Sequence, residues 1–368
     1  MASLASIALA VMSCDPAAGP EAAAIPLAPF ESSEAPLSVN AYVALATEAT
    51  ACVFNDYETQ VHCMDRGGGQ ADVFGRPGGG PGEFPTRPRS VTRGPDGTVA
   101  VIGYNWVVLF EPSGRFVAEV RVPLNIRLAA SADSVLMGSQ LEIDRPSRVI
   151  NTRHLEVDVA TGEILWEGYF PASMAAQADC PPRVSSSGRS YPTLGSARRF
   201  PSGGMVFFAL CRGQLLFLSH LDDESGIVLQ PPLYTLEYPT RRDVERYLEA
   251  CDLPASRILN LPCEVERFRR TPKHYGKHYW VDDQDRLWVL TDRDREEHSH
   301  LDVYTGPGFS GSVRVRHRAV GFDVLGSTLA VLVDRPVGPE DADGIPDRGI
   351  DWYDIDGLEF GGASGSKP

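Results

Sequence analysis

The chain has 368 residues, 43% of them hydrophobic, with 35 glycines, 29 prolines and a net charge of −15. That is ample for a large core with many turns, and beyond the first residues no apolar run is long enough to span a bilayer. The acidic balance argues against a nucleic-acid partner, because phosphate backbones are held by a basic face.

In chain order, the first feature is the short apolar segment Leu4 to Met12, followed by Ser13 and Cys14. It resembles the end of a bacterial lipoprotein signal, in which an apolar stretch precedes a lipid-bearing cysteine, although no Lys or Arg stands ahead of it. The resemblance implies lipidation at Cys14, export to the periplasm or cell surface, and membrane contact only through the anchor. Residues 15–36, rich in Ala, Pro and Glu, are expected to be a flexible tether, with a folded domain over 37–360 and a disordered tail over 361–368.

Six cysteines remain after Cys14: Cys52, Cys63, Cys180, Cys211, Cys251 and Cys263. Cys52 and Cys63 flank the turn Asn55-Asp56-Tyr57-Glu58 symmetrically, so they face each other across a hairpin within disulfide reach. Cys251 and Cys263 would close a short loop, leaving Cys180 for Cys211 by elimination. No CxxC or Cys/His ligand spacing is present, and paired cysteines fit an oxidising compartment.

Residues 78 to 122 then read as four short strands. Val99 to Ile102 and Val107 to Phe110 are β-branched runs, and Phe116 to Val122 alternates apolar with polar residues. Pro95-Asp96-Gly97 and Pro112-Ser113-Gly114 carry tight-turn chemistry between them. With the Gly80-Pro81-Gly82-Glu83-Phe84 entry ahead of it, this stretch resembles one blade of an NHL-like β-propeller.

The two-strand pattern recurs six times, with units starting at Thr50, Thr98, Ser134, Gly204, Arg286 and Thr328. Short strands repeating at about 40 residues indicate a propeller. The expected fold is therefore all-β, a six-bladed β-propeller with one short helical insertion; seven blades or a sandwich are the alternatives, because the spacing is uneven. Two insertions account for the long steps, about 169–195 and about 231–275. The second contains a helix capped by Thr240, with Val244, Tyr247, Leu248 and Cys251 on one stripe. A strand near Pro36 to Val43 is expected to close the ring. Trp106, Phe110, Trp166, Phe207, Phe217, Trp280, Trp288 and Trp352 are expected to pack between blades.

Cations precede the reference strand in five units: Arg87 and Arg89, Arg127, Arg198 and Arg199, Lys277 and His278, Arg316 and Arg318. Arg89, Arg127, Arg199, His278 and Arg318 are thus candidates for a positive channel mouth that attracts a small anion, with a solvated rim as the other reading. His274 and His278 lack a third ligand, and His298-Ser299-His300 reads as a polar loop tip. Asp341, Asp343 and Asp347 echo the start of a calcium loop, although Pro346 disturbs it; an acidic turn is the plainer reading, and otherwise no cofactor is indicated. No nucleophile elbow or phosphate loop occurs.

Two functions follow. One is a non-catalytic, monomeric cell-envelope propeller that binds an unidentified protein or a small anionic ligand on its insertion-bearing face. The other is implied by the propeller resemblance: a metal-dependent lactonase or lyase with its site at the central channel. None of those enzymes' ligand residues can be placed on this sequence, and cationic channel entries suit a divalent ion poorly, so the binding reading leads.

Overall fold

A computed structural model describes residues 24–35, 42–55, 57–69, 72–122, 127–132, 135–144, 149–169, 183–184, 190–191, 194–209, 214–220, 223, 226–229, 238–252, 264–271, 273, 275–293, 297–336 and 347–360. They form a six-bladed β-propeller. Blade 1 is Val43–Thr47, Thr50–Asn55, Gln60–Asp65 and Asp72–Phe74. Blade 2 is Ser90–Arg93, Val99–Ile102, Trp106–Phe110 and Phe116–Arg121. Blade 3 is Arg127–Ala132, Val135–Asp144, Val149–Asp158 and Ile164–Tyr169, and blade 4 is Leu194–Arg199, Met205–Ala209, Gln214–Leu218 and Ile227–Leu229. Blade 5 is Gly276–Val281, Arg286–Thr291, His298–Thr305 and Gly308–Arg316. Blade 6 contributes Arg318–Leu325, Thr328–Asp334 and Arg348–Asp354. Each first strand contacts that of the next blade, and the sixth contacts the first, so these strands ring a central channel.

All six expected strand pairs form in antiparallel register. Their sequences are apolar at successive positions because both faces of a blade are covered. In blade 2, Val99 and Val101 pack toward blade 1, whereas Ala100 and Ile102 pack toward blade 3. A sheet with one wet face would alternate apolar and polar residues instead. Trp106, Trp288 and Trp352 are fully buried, and each such side chain contributes roughly 1.5–3 kcal/mol through burial. Trp166 is half-buried on the outer strand of blade 3.

The Gly80–Phe84 entry joins blade 1 to blade 2. Its Glu83 carboxylate accepts from the Gly80 N–H (2.8 Å) and from Arg76 Nε (2.8 Å), which fixes the loop. Phe84 is thereby inserted between the blades, stacked on Trp106 with ring centres 5.8 Å apart. Gly82 adopts φ 76°, a left-handed conformation that glycine takes without strain.

Ring closure differs from expectation. Glu31–Ala35, not a segment after Pro36, is the fourth strand of blade 6 and pairs antiparallel with Arg348–Asp354. Val43–Thr47 is the innermost strand of blade 1. Ile25–Pro26 also pairs, in parallel, with the outer strand of blade 5. The last part of the expected tether is therefore structured, and the domain begins before residue 37. Side chains explain the choice: Ser32 Oγ donates to Asp351 Oδ1 (2.7 Å), and Trp352 Nε1 donates to Ser33 Oγ (3.3 Å). The serine pair gives the buried Trp352 N–H an acceptor and adds a second donor to Asp351 Oδ1, which also meets Arg335 (2.9 Å). The same seam is latched at the channel, where Asp323 Oδ2 accepts from the Leu45 N–H (2.7 Å).

Among the described residues the second insertion holds two helices, not one: α1, Arg241–Asp252, and α2, Val265–Arg270. Thr240 caps α1 reciprocally, its Oγ1 accepting from the Asp243 N–H (3.2 Å) while Asp243 Oδ2 accepts from the Thr240 N–H (2.7 Å). Tyr247 stacks on Phe268 of α2 at 4.3 Å. The short α2 was not legible, because its six residues carry too little periodicity. Of the first insertion, the described residues Arg183–Val184 and Ser190–Tyr191 add short strands to blade 3. Cys52 and Cys63 are directly opposite in register and disulfide-bonded, with Cα atoms 4.0 Å apart. Cys14, Cys180, Cys211 and Cys263, and the side chain of Cys251, lie outside the described residues.

Candidate functional site

The strand order fixes what lies on each end of the channel. Every innermost strand starts at one face, here the upper face, and every connection from an outermost strand to the next blade returns there. The connections 75–89, 170–193 and 230–275 therefore leave and rejoin the ring at the upper face, as does 335–347 between the second and third strands of blade 6. On the lower face no connection between the described strands is longer than 219–226. Both insertions consequently start and end at one face, and Lys273 ties α1 there, reaching Asp243 (2.8 Å) and the Asp292 carbonyl of blade 5 (3.4 Å).

The candidate mouth residues stand at different places. Arg89 is exposed on the upper face, its guanidinium 4.6 Å from the centre of the Tyr104 ring. Arg318 donates to Asp334 Oδ2 (2.6 Å), and Arg348 reaches the same carboxylate at 3.2 Å. Arg199 is at the lower end of its strand and pairs with the buried Glu156 of blade 3 at 2.5 Å. Burial raises the Glu156 carboxyl, and Arg199 opposes that shift. Arg127 begins the inner strand of blade 3; its side chain lies outside the described residues. Arg89, Arg318 and Arg199 are thus each occupied locally and do not converge on one point.

Of the calcium-loop residues, Asp341 and Asp343 lie outside the described residues, and the Asp347 carbonyl accepts from the Arg335 N–H (2.7 Å). His274 also lies outside them. His298 and His300 contact each other edge-on at 5.1 Å. They begin the third strand of blade 5, so the segment expected to be a loop tip is β-strand. Among the described residues, no three His, Cys, Asp or Glu side chains converge as a metal site would require.

The channel itself carries a different constellation. Arg198, the neighbour of Arg199, is 5% exposed, and its guanidinium lies 5.2 Å from the Tyr279 ring and 5.7 Å from the Trp280 ring. Successive residues of a strand point to opposite sheet faces. A group close to both rings therefore lies over the edge of the blade 5 inner strand, which is the channel wall. Arg198 Nη1 donates to its neighbour's carbonyl, Ala197 O (2.9 Å). Its Nε and Trp280 Nε1 are buried donors without an acceptor among the described residues.

Above Arg198, the His278 ring packs edge-on against Phe322 of blade 6 (5.3 Å) and against Tyr42 at the head of blade 1 (6.1 Å). Tyr42 is 37% exposed, so this column of rings runs from the upper mouth to the buried guanidinium. Burial drives His278 down to about 3, and Arg198 pushes in the same direction, so the imidazole is neutral at physiological pH. Burial also lowers the Arg198 guanidinium, against the pull of Tyr279 and Tyr42.

A second polar cluster lies beneath the upper face of blade 5. The fully buried Asp302 accepts from Tyr275 Oη (2.7 Å), from Arg293 Nη2 (2.5 Å) and from Ser312 Oγ. Burial, with Asp302 beside it, raises Tyr275 well above the usual tyrosine range. Three donors on one carboxylate make this a closed network that braces the strands.

Sequence reading missed both clusters. Arg198 was legible only as one of a pair, and strand alternation decides which of two adjacent arginines enters the channel. The Asp302 network joins residues separated by 27 and 10 positions, with no local signature.

The sequence matches no family model and no curated protein. Among solved structures the chain is similar to a calcium-binding protein, regucalcin, from Agrobacterium tumefaciens, at 10% identity over 90% of this chain and 96% of that one, with a TM-score of 0.44. It is also similar to a luciferin-regenerating enzyme, at 9% identity over 87% and 94% with a TM-score of 0.45. BamB from Moraxella catarrhalis is similar at 11% identity over 87% and 84%, with a TM-score of 0.31. Values of this size carry no argument about function.

Proposed function

We propose that the protein is a non-catalytic binding propeller of the bacterial cell envelope, anchored through a lipid on Cys14, that engages its partner on the upper face. The observation that supports this reading is the one-sidedness of the connections. The long segments all leave the ring at the face where the innermost strands begin, as expected of loops positioned for recognition on a rigid scaffold. The Cys52–Cys63 disulfide agrees with an oxidising compartment.

Two measurements test the reading. Full-length protein is analysed for bound metal, then titrated with calcium and zinc and assayed against a panel of lactones. Absence of turnover with and without added metal is expected, and metal-dependent turnover would overturn the non-catalytic assignment. Cell fractionation tests the anchor: the wild-type chain should sediment with membranes and Cys14→Ala should not. Equal partition of the two would remove the lipid from the account.

A further inference from the structure

We propose that the central channel holds a binding site for a small carboxylate monoanion with a flat, apolar body, its carboxylate taken by Arg198 and Trp280 Nε1 and its body lying among Tyr42, His278, Tyr279 and Phe322. This site is separate from the partner surface of the upper face and does not depend on it.

A guanidinium out of water needs an opposite charge or a full set of acceptors. Arg198 is 5% exposed and has no carboxylate within ion-pair reach among the described residues. Among the described residues its one acceptor is the Ala197 carbonyl, and the rings of Tyr279 and Trp280 lie beside it. Ring faces stabilise a cation by about 0.5–2 kcal/mol, which is less than desolvation takes away. Arg199, one residue on, has its carboxylate in Glu156. Among the described residues, one of two adjacent arginines thus has an acid and the other, the buried one, has none.

Arg198 Nε and Trp280 Nε1, whose side chains meet at the blade 5 inner strand, are both buried donors without an acceptor among the described residues. The missing component is therefore an acceptor, and a carboxylate satisfies donors of both kinds. A single negative charge matches the site: His278 beside Arg198 is neutral, and Lys277, Arg199 and Arg318 each face a carboxylate of their own. The aromatic lining sets the character of the remainder, since flat apolar groups stack or meet edge-on with Tyr, Phe and His rings. Entry is from the upper mouth, past the partly exposed Tyr42.

The test uses full-length protein and benzoate as the probe, with benzamide as its neutral counterpart, acetate as a carboxylate without the ring, and inorganic phosphate. Binding is followed by tryptophan fluorescence and calorimetry. Benzoate should saturate at one site, at least ten-fold more tightly than benzamide, acetate or phosphate. Arg198→Gln should weaken benzoate at least ten-fold, whereas Arg89→Ala on the exposed rim should leave it unchanged. Should Arg198→Gln fail to fold, Trp280→Phe keeps the ring, removes only the N–H donor, and should weaken benzoate several-fold. Equal binding of benzoate and benzamide, tighter binding of phosphate, or no saturable benzoate binding to the folded wild type would overturn the proposal. In the last case Arg198 is a channel plug, and Arg198→Met should raise the melting temperature.

Discussion

Removing residues 1–36 should weaken the whole ring, because that cut takes the fourth strand of blade 6 with it. Glu31–Ala35 pairs along its length with Arg348–Asp354. Three further bonds tie this edge: Phe30 N–H to Trp352 O (2.9 Å), Ser32 Oγ to Asp351 and Trp352 Nε1 to Ser33 Oγ. At about 1 kcal/mol net for each bond, these three alone contribute ~3 kcal/mol. For domains of roughly 150–250 residues, 1 kcal/mol shifts the melting temperature by about 2–4 °C, so the loss should be at least ~6 °C. Loss of the ladder adds to that and leaves an unpaired edge prone to association. The assay compares chains starting at residues 24, 30 and 37 by thermal melting and by size-exclusion chromatography. Starting at 30 removes Ile25–Pro26 from blade 5 and should cost less than starting at 37. If the chain starting at 37 melts within about 2 °C of the chain starting at 24 and stays monomeric, the closure described here is wrong.

Other expectations follow from single contacts. Cys52→Ala with Cys63→Ala should lower stability by about 2–3 kcal/mol in denaturant titration, as expected for opening a short covalent loop. Gly162 has φ 75°, and a Cβ there would lie 2.3 Å from the Arg121 carbonyl oxygen of blade 2, whereas at Gly306 (φ 53°) it meets open space. Gly306→Ala should cost roughly 1–2 kcal/mol for its left-handed backbone, and Gly162→Ala measurably more in the same melts. Burial drives His154 down to about 4 and His278 to about 3, both below the ordinary imidazole value of 6.5. Because the unfolded chain binds these protons first, the two histidines stabilise the fold fully above pH 6.5, and their contribution is lost as pH falls toward 4 and 3. Their ring resonances in labelled protein should therefore not titrate between about pH 7.5 and 5; movement with a midpoint near the ordinary imidazole value would show that they are solvated. Asp243 is held at about 2: partial burial would raise it, but Lys273 (2.8 Å) and Thr240 outweigh that. Its support for α1 should be complete above about pH 4 and disappear as pH falls through 2, seen as loss of helical circular dichroism.

The sequence carried the blades because the physics that builds them is local. Short runs such as Val99–Ile102 must be apolar throughout when both faces are covered, and turns such as Pro112-Ser113-Gly114 stand between them with Gly114 at φ 83°. The Cys52–Cys63 pair was legible for the same reason, since a symmetric turn sets the register. Closure was not, because Glu31–Ala35 is a polar strand whose partner lies 319 residues away at Ser32–Asp351. The channel site was half legible. Basic residues near the inner strands were visible, but only the fold reveals that Arg199 meets Glu156 while Arg198 turns into the rings of blade 5.

The central claim is that recognition belongs to the upper face. Its most direct test is site-specific photo-crosslinking in intact cells, with the reactive side chain at Tyr57 or Arg241 on the upper face and at Ser113 or Asp283 on the lower, all exposed. A discrete adduct is expected from the upper positions and none from the lower ones. Adducts from Ser113 or Asp283 with none from Tyr57 or Arg241 would place recognition on the face of tight turns and contradict it.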